Sequence, residues 1–142
     1  MAVDSIAYAE WKGDLIAGSG KVRPASNAFG ELELTWANRS QSRESGTSPE
    51  ELIAAAHAGC FSMALSNRLS TEGHKPDKLN VTAKVSFEAG KGITGIELSV
   101  TGSVPGITPE EFQAAAEFAK ANCPVSKALA GVSISLTKVS LE

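Results

Sequence analysis

The chain has 142 residues, 42% hydrophobic and 20% charged, the balance of a folded protein rather than a disordered one. That length can bury a sizeable core and suits one ordinary domain, so residues 1–142 are expected to form a single domain. A formal net charge of −3 argues against nucleic acid or an anionic membrane as partner, because both select a basic face.

The first residues, MAVDSIAYAEWKGD, carry no apolar signal core, and no apolar run approaches the length of a membrane span. A cytoplasmic protein is the expectation. Residues 5–36 read as two or three strands. IAYAEW and DLIAG come first, Gly18 and Gly20 set them off from KVRPAS, and ELELTW alternates Leu32, Leu34 and Trp36 with Glu31, Glu33 and Thr35. NRSQSRESGTS, residues 38–48, is polar and aperiodic, a loop that contains Arg39 and Arg43.

A helix should open next. Ser48 can cap it, Pro49 fits the first helical position, and Glu51 completes an S-x-x-E capping box. Glu50 and Glu51 sit where the helix dipole favours negative charge. From Leu52 to about Leu69 apolar residues wrap nearly all the way round, the mark of a buried helix, and Gly73 and Pro76 end it. A hairpin follows, with Leu79, Val81, Ala83, Val85 and Phe87 on one face, a Gly90-Lys91-Gly92 turn, and Ile96, Leu98 and Val100 inward on the return. Thr108-Pro109-Glu110-Glu111 repeats the capping logic and starts a second helix with Phe112, Ala115, Ala116 and Ala119 on one stripe. Cys123-Pro124 interrupts it, VSKALAG adds a helical turn, and VSISLTKVSLE is a last strand.

Strands joined by a hairpin point to an antiparallel α+β domain. One sheet can cover one side of the Leu52–Leu69 helix, which is apolar on the other side too. A homodimer that packs this helix against its own copy resolves the excess.

The chemistry-bearing residues are few. Cys60 and Cys123 are the two cysteines, too few for a disulfide framework. No CxxC or HxxxH spacing offers a zinc site, and no nucleotide or haem motif is visible, so no metal or cofactor is expected. Cys123, before Pro124, would stand at a helix N-cap, where free N–H groups lower a thiol pKa; on local physics it is the better thiolate. His57 lies three residues before Cys60 on nearly the same helix face, which allows a cysteine-dependent hydrolase or acyl-transferase using a Cys60–His57 pair. The blander readings are a satisfied buried histidine at the dimer interface and a non-catalytic dimeric binding module with inert cysteines.

GTSPEELIAAAHAGCFSMALS together with NCPVSKALAG resembles the two signature segments of the OsmC/Ohr family of organic hydroperoxide reductases. The AHAGCFSMALS wording is nearer the OsmC branch. The resemblance implies an intertwined homodimer whose antiparallel sheets wrap central buried helices, and a peroxidase that serves oxidative-stress defence. Cys60 then matches the peroxidatic cysteine and Cys123 the resolving cysteine that condenses with its sulfenic acid. Glu50 matches a family acid that pairs with an arginine over the reactive thiol. Arg39 is taken for that arginine, and Arg43 is the rival. The implied partners are an organic hydroperoxide and a dithiol reductant, lipoyl-type on the Ohr side of the family.

Such chemistry needs an apolar pocket, for which Phe61, Met63 and Leu65 are candidates. A free thiol of pKa about 8.5 is only about 3% thiolate at pH 7. Lowering that pKa also lowers nucleophilicity, so the net gain is a few-fold, and Arg39 is expected to act on the peroxide oxygens as well. Glu50 is expected to hold its guanidinium by a bidentate pair. Glu50 and Cys60 are ten positions apart in the expected helix, about 15 Å of rise. Glu50 is therefore expected to serve the Cys60 of a partner subunit.

Overall fold

The computed structural model describes residues 1–41 and 43–142; Ser42, in the expected 38–48 loop, lies outside the described residues. The chain forms two compact units, Met1–Leu52 and Ile53–Glu142.

In the first unit an antiparallel sheet has the order β1 (Ala7–Lys12), β2 (Ser19–Pro24), β3 (Leu32–Leu34). DLIAG is a tight turn and not a strand. Asp14 Oδ1 accepts the Ala17 N–H at 2.7 Å and the Asp14 carbonyl accepts the Gly18 N–H at 3.0 Å. A Cβ at Gly18 would lie 2.2 Å from that carbonyl oxygen, so the turn needs glycine. The expected 38–48 loop instead begins inside a short helix, α1 (Trp36–Ser40), because Thr35 Oγ1 caps it by accepting the Asn38 N–H at 3.0 Å. Asn38 then ties the following chain by donating to the Ser45 carbonyl at 2.8 Å.

Helix α2 (Pro49–Thr71) takes its first residues from this unit and the rest from the second. Half of the expected capping box is present. Ser48 Oγ accepts the Glu51 N–H at 3.1 Å, but the Glu51 carboxylate is engaged by Thr47 Oγ1 and Arg43 Nη1, each at 2.7 Å. A charged donor outcompetes a backbone amide for that carboxylate. The helix ends where Gly73 takes a φ of +88° and the His74 N–H returns to the Leu69 carbonyl.

The second unit holds a sheet of order β4 (Lys78–Glu88), β5 (Gly92–Ser103), β6 (Ile134–Leu141). The β4–β5 hairpin pairs Val81 with Val100, Ala83 with Leu98 and Val85 with Ile96. The sheet departs from the all-antiparallel expectation, because β6 runs parallel to β5. The reason is the connection. Helices α3 (Pro109–Asn122) and α4 (Pro124–Ala128) lie between the two strands, and a helical crossover returns the chain in the same direction.

The core packs Phe61, Leu65 and Leu69 of α2 with Ile96, Leu98 and Val100 of β5 and Phe112, Ala115, Ala116 and Ala119 of α3. Buried positions on α2 recur every four residues at His57, Phe61, Leu65 and Leu69, which defines one stripe. Ala55, Ala56, Gly59 and Met63 are exposed, Met63 at 75%. The helix is thus buried on one side only, and its remaining apolar side is open. No helix among the described residues is long and apolar enough to cross a membrane.

Candidate active site

Two pairs of expected site residues form, one in each unit. In the first unit Arg39, in the last turn of α1, places Nε 2.9 Å from Glu50 Oε1 at the start of α2. Glu50 is 5% exposed, and its Oε2 is buried with no hydrogen-bond partner among the described residues. The expected bidentate pair is therefore a single contact through one carboxylate oxygen. Arg43 goes elsewhere: Nη1 to Glu51 at 2.7 Å, Nη2 to Ser48 Oγ at 3.0 Å and Nε to the Asn38 carbonyl at 3.3 Å. Beside Arg39 lies a cavity of about 310 Å³, walled mainly by Trp11, Leu15, Leu34, Trp36 and Pro49. Sequence reading missed this cavity and named Phe61, Met63 and Leu65 instead. Phe61 and Leu65 are fully buried core and Met63 is exposed. The apolar face of ELELTW was the available signal.

In the second unit α2 and the start of α4 bring the two cysteines together. Both are free, Cys60 half-buried and Cys123 fully buried, and their sulfurs lie within hydrogen-bonding reach. Burial pushes the Cys60 thiol above its ordinary pKa and the neighbouring Cys123 adds to this, with the Val125 N–H opposing. Burial would raise Cys123 as well. There, hydrogen bonds from Cys60, from the Ser126 N–H and hydroxyl and from the Val125 N–H outweigh it and hold the thiol below its ordinary value. The sulfur forms no close cap of the kind a side-chain oxygen makes, yet these donors surround it. Of the two thiols, Cys123 is therefore the one favoured to lose its proton first.

His57 is not paired with Cys60. Its Nε2 lies 2.7 Å from Ser126 Oγ, and its Nδ1 is buried with no partner among the described residues. The ring is fully buried. Burial holds its pKa below the ordinary value. Ser126, three residues after Cys123, was missed in the sequence. The signal was its spacing from the expected N-cap.

A family model described as OsmC-like protein matches residues 42–137. The chain is 42% identical over 132 residues to peroxiredoxin OsmC of Escherichia coli, covering 91% of this chain and 92% of that one. It is 38% identical over 103 residues to organic hydroperoxide resistance protein OhrA of Bacillus subtilis, covering 71% and 72%. Among solved structures, an organic hydroperoxide resistance protein from Elizabethkingia anophelis superposes with a TM-score of 0.69 at 27% identity, covering 100% of this chain and 99% of that one.

Proposed function

The chain belongs to the OsmC-like protein family, and on that premise we propose that it is a thiol peroxidase that reduces organic hydroperoxides to alcohols in oxidative-stress defence. The observation that carries the assignment of roles is the unequal exposure of two adjacent sulfurs. A peroxide must touch the sulfur that attacks it. Cys60 is half-buried and reachable, whereas Cys123 is fully buried behind it.

The reactive form on this reading is the pair with one proton between the two sulfurs, and the steps then follow in order. Cys60 passes its proton to Cys123 and attacks the terminal peroxide oxygen. The O–O bond breaks, the alkoxide leaves and takes up that proton as the alcohol, and Cys60 becomes a sulfenic acid. Cys123, again a thiolate, attacks the Cys60 sulfur; an S–S bond forms and hydroxide departs. A thiol held above its usual pKa is a poor nucleophile on its own, so Cys60 needs a cation. Arg39, oriented by Glu50, is proposed to supply that charge and to donate hydrogen bonds to the leaving oxygen. The apolar cavity beside Arg39 suits an organic substituent.

The assembly we infer is a homodimer, supported by the open apolar side of α2. A dithiol, lipoyl-type or another, is the inferred reductant of the disulfide. A cytoplasmic setting, where thiols are kept reduced, suits a cycle that starts from two free cysteines.

The test is mass spectrometry after a stoichiometric dose of cumene hydroperoxide. The expected product has lost two hydrogens and yields a linked Cys60–Cys123 peptide. An unchanged mass would overturn the assignment.

A further inference from the structure

The mechanism leaves one buried titratable group unused. His57 lies on the same helix as Cys60, yet its ring reaches Ser126, 69 positions away, and Ser126 borders the Cys123 sulfur through both its N–H and its hydroxyl. His57, Ser126 and Cys123 are all buried, at 0%, 5% and 0% exposure.

The hydrogen positions follow from the orphan. Nδ1 has no partner among the described residues, and a buried N–H donor without an acceptor is the rarer and costlier kind of orphan. The ring hydrogen therefore belongs on Nε2, where it donates to Ser126 Oγ. Ser126 then has its own hydrogen to give, and the Cys123 sulfur is beside it. Burial keeps the imidazole neutral, so it acts as a donor and not as a base.

We propose that His57 and Ser126 are positioning residues for the resolving step, a donor chain running from His57 Nε2–H through the Ser126 hydroxyl to the Cys123 sulfur that readies it as the thiolate before it meets oxidised Cys60. The inference rests on the peroxidase reading above. In the step it serves, the Cys123 thiolate uses its electron pair to form the S–S bond to Cys60. The S–O bond of the sulfenic acid breaks, and hydroxide leaves with the electron pair of that bond and takes a proton from solvent. The thiolate sulfur is oxidised and the sulfenic sulfur reduced by equal amounts. A hydrogen bond to a charged group changes the relevant equilibrium by about tenfold or more.

The experiment uses the full chain and cumene hydroperoxide in single turnover, reading Cys60 sulfenate formation and disulfide formation separately. Ser126→Ala should slow disulfide formation about tenfold relative to sulfenate formation. His57→Leu should act in the same direction, and His57→Gln, whose amide can still donate to Ser126, should recover part of the loss. In a Cys60→Ser background, with no peroxide, Ser126→Ala should lower the ultraviolet thiolate absorbance of Cys123 at neutral pH. A merely structural role would leave both the ratio of the two rates and that absorbance where they were, and such a result overturns the proposal. If Ser126→Ala does not fold, the His57→Gln and His57→Leu pair decides, with equal rates counting against the chain. A wild-type protein that consumes no peroxide would sink the peroxidase reading alone, since the Cys123 absorbance still decides the donor chain.

Discussion

Arg39 holds Glu50 through one carboxylate oxygen, Nε to Oε1 at 2.9 Å, while Oε2 is buried without a hydrogen-bond partner among the described residues. A buried carboxylate that depends on one cation makes the pair sensitive to loss of either member.

Arg39→Ala should lower peroxide reduction about a hundredfold, the scale of losing a donor to developing oxyanion charge. Raising the pH restores the Cys60 thiolate without restoring that donor. Activity should therefore recover only in part in strong alkali. Full recovery would mean that Arg39 acts on the thiolate alone. Arg43→Ala, which touches Glu51 and Ser48 instead, should cost little activity.

Cys60→Ser should abolish turnover with the fold retained, the two side chains being nearly equal in size. Cys123→Ser should permit one turnover and then stall at the Cys60 sulfenic acid, which over-oxidises with excess peroxide. The measurement is product per subunit, followed by mass. Repeated turnover of Cys123→Ser with a dithiol would show that the donor attacks the sulfenic acid directly.

The expectation that Glu50 serves the Cys60 of a partner subunit is open to complementation. Cys60→Ser and Glu50→Ala homodimers should each be nearly inactive. A heterodimer of the two should recover one working site, because the intact Cys60 then meets the intact Glu50 of the other chain. A dead heterodimer would assign Glu50 to its own subunit.

Packing makes a separate demand at Gly102 in β5. A Cβ there would stand 2.7 Å from Cζ of the buried Phe112 and 3.1 Å from Leu79 Cδ2. Gly102→Ala should destabilise by about 1–3 kcal/mol, read from the denaturation midpoint. An unchanged midpoint would show that the Phe112 ring can yield.

Much of this architecture was legible because its signals are local. The Thr108–Glu111 box, the Phe112–Ala119 stripe and the Val81–Val85 alternation each lie within a few residues, and each appears where expected, including the reciprocal bonds of the box at 2.9 and 3.2 Å. The misses are non-local. The direction of β6 depends on a crossover, and the Glu51 carboxylate was diverted by Arg43 from the preceding loop. The His57–Ser126 contact spans 69 positions, beyond the reach of any periodicity. The N-cap place of Cys123 and its lowered thiol were legible from Pro124 and the following N–H groups, whereas its approach to Cys60 was not. The half-buried state of Cys60 and the full burial of Cys123 depend on the meeting of α2 and α4, which the His57–Ser126 contact ties across the chain.

The last prediction follows from the depressed basicity of His57. Burial lowers its pKa in the folded chain, whereas the unfolded chain has an ordinary imidazole near pH 6.5. Below about pH 6.5 the unfolded state therefore binds a proton that the native state refuses. The unfolded state holds more protons, so stability rises with pH and is lost as pH falls through that region. The loss continues until the pH reaches the lowered folded value, at no more than about 1.36 kcal/mol per pH unit for one group. Carboxylates titrate further down, so the contribution is isolated by subtraction. His57→Gln cannot take up the proton, and its denaturation midpoint should be flatter between pH 7 and about 5.5 than that of the wild type. Parallel curves would show that the imidazole titrates alike in both states and that its burial carries no electrostatic cost.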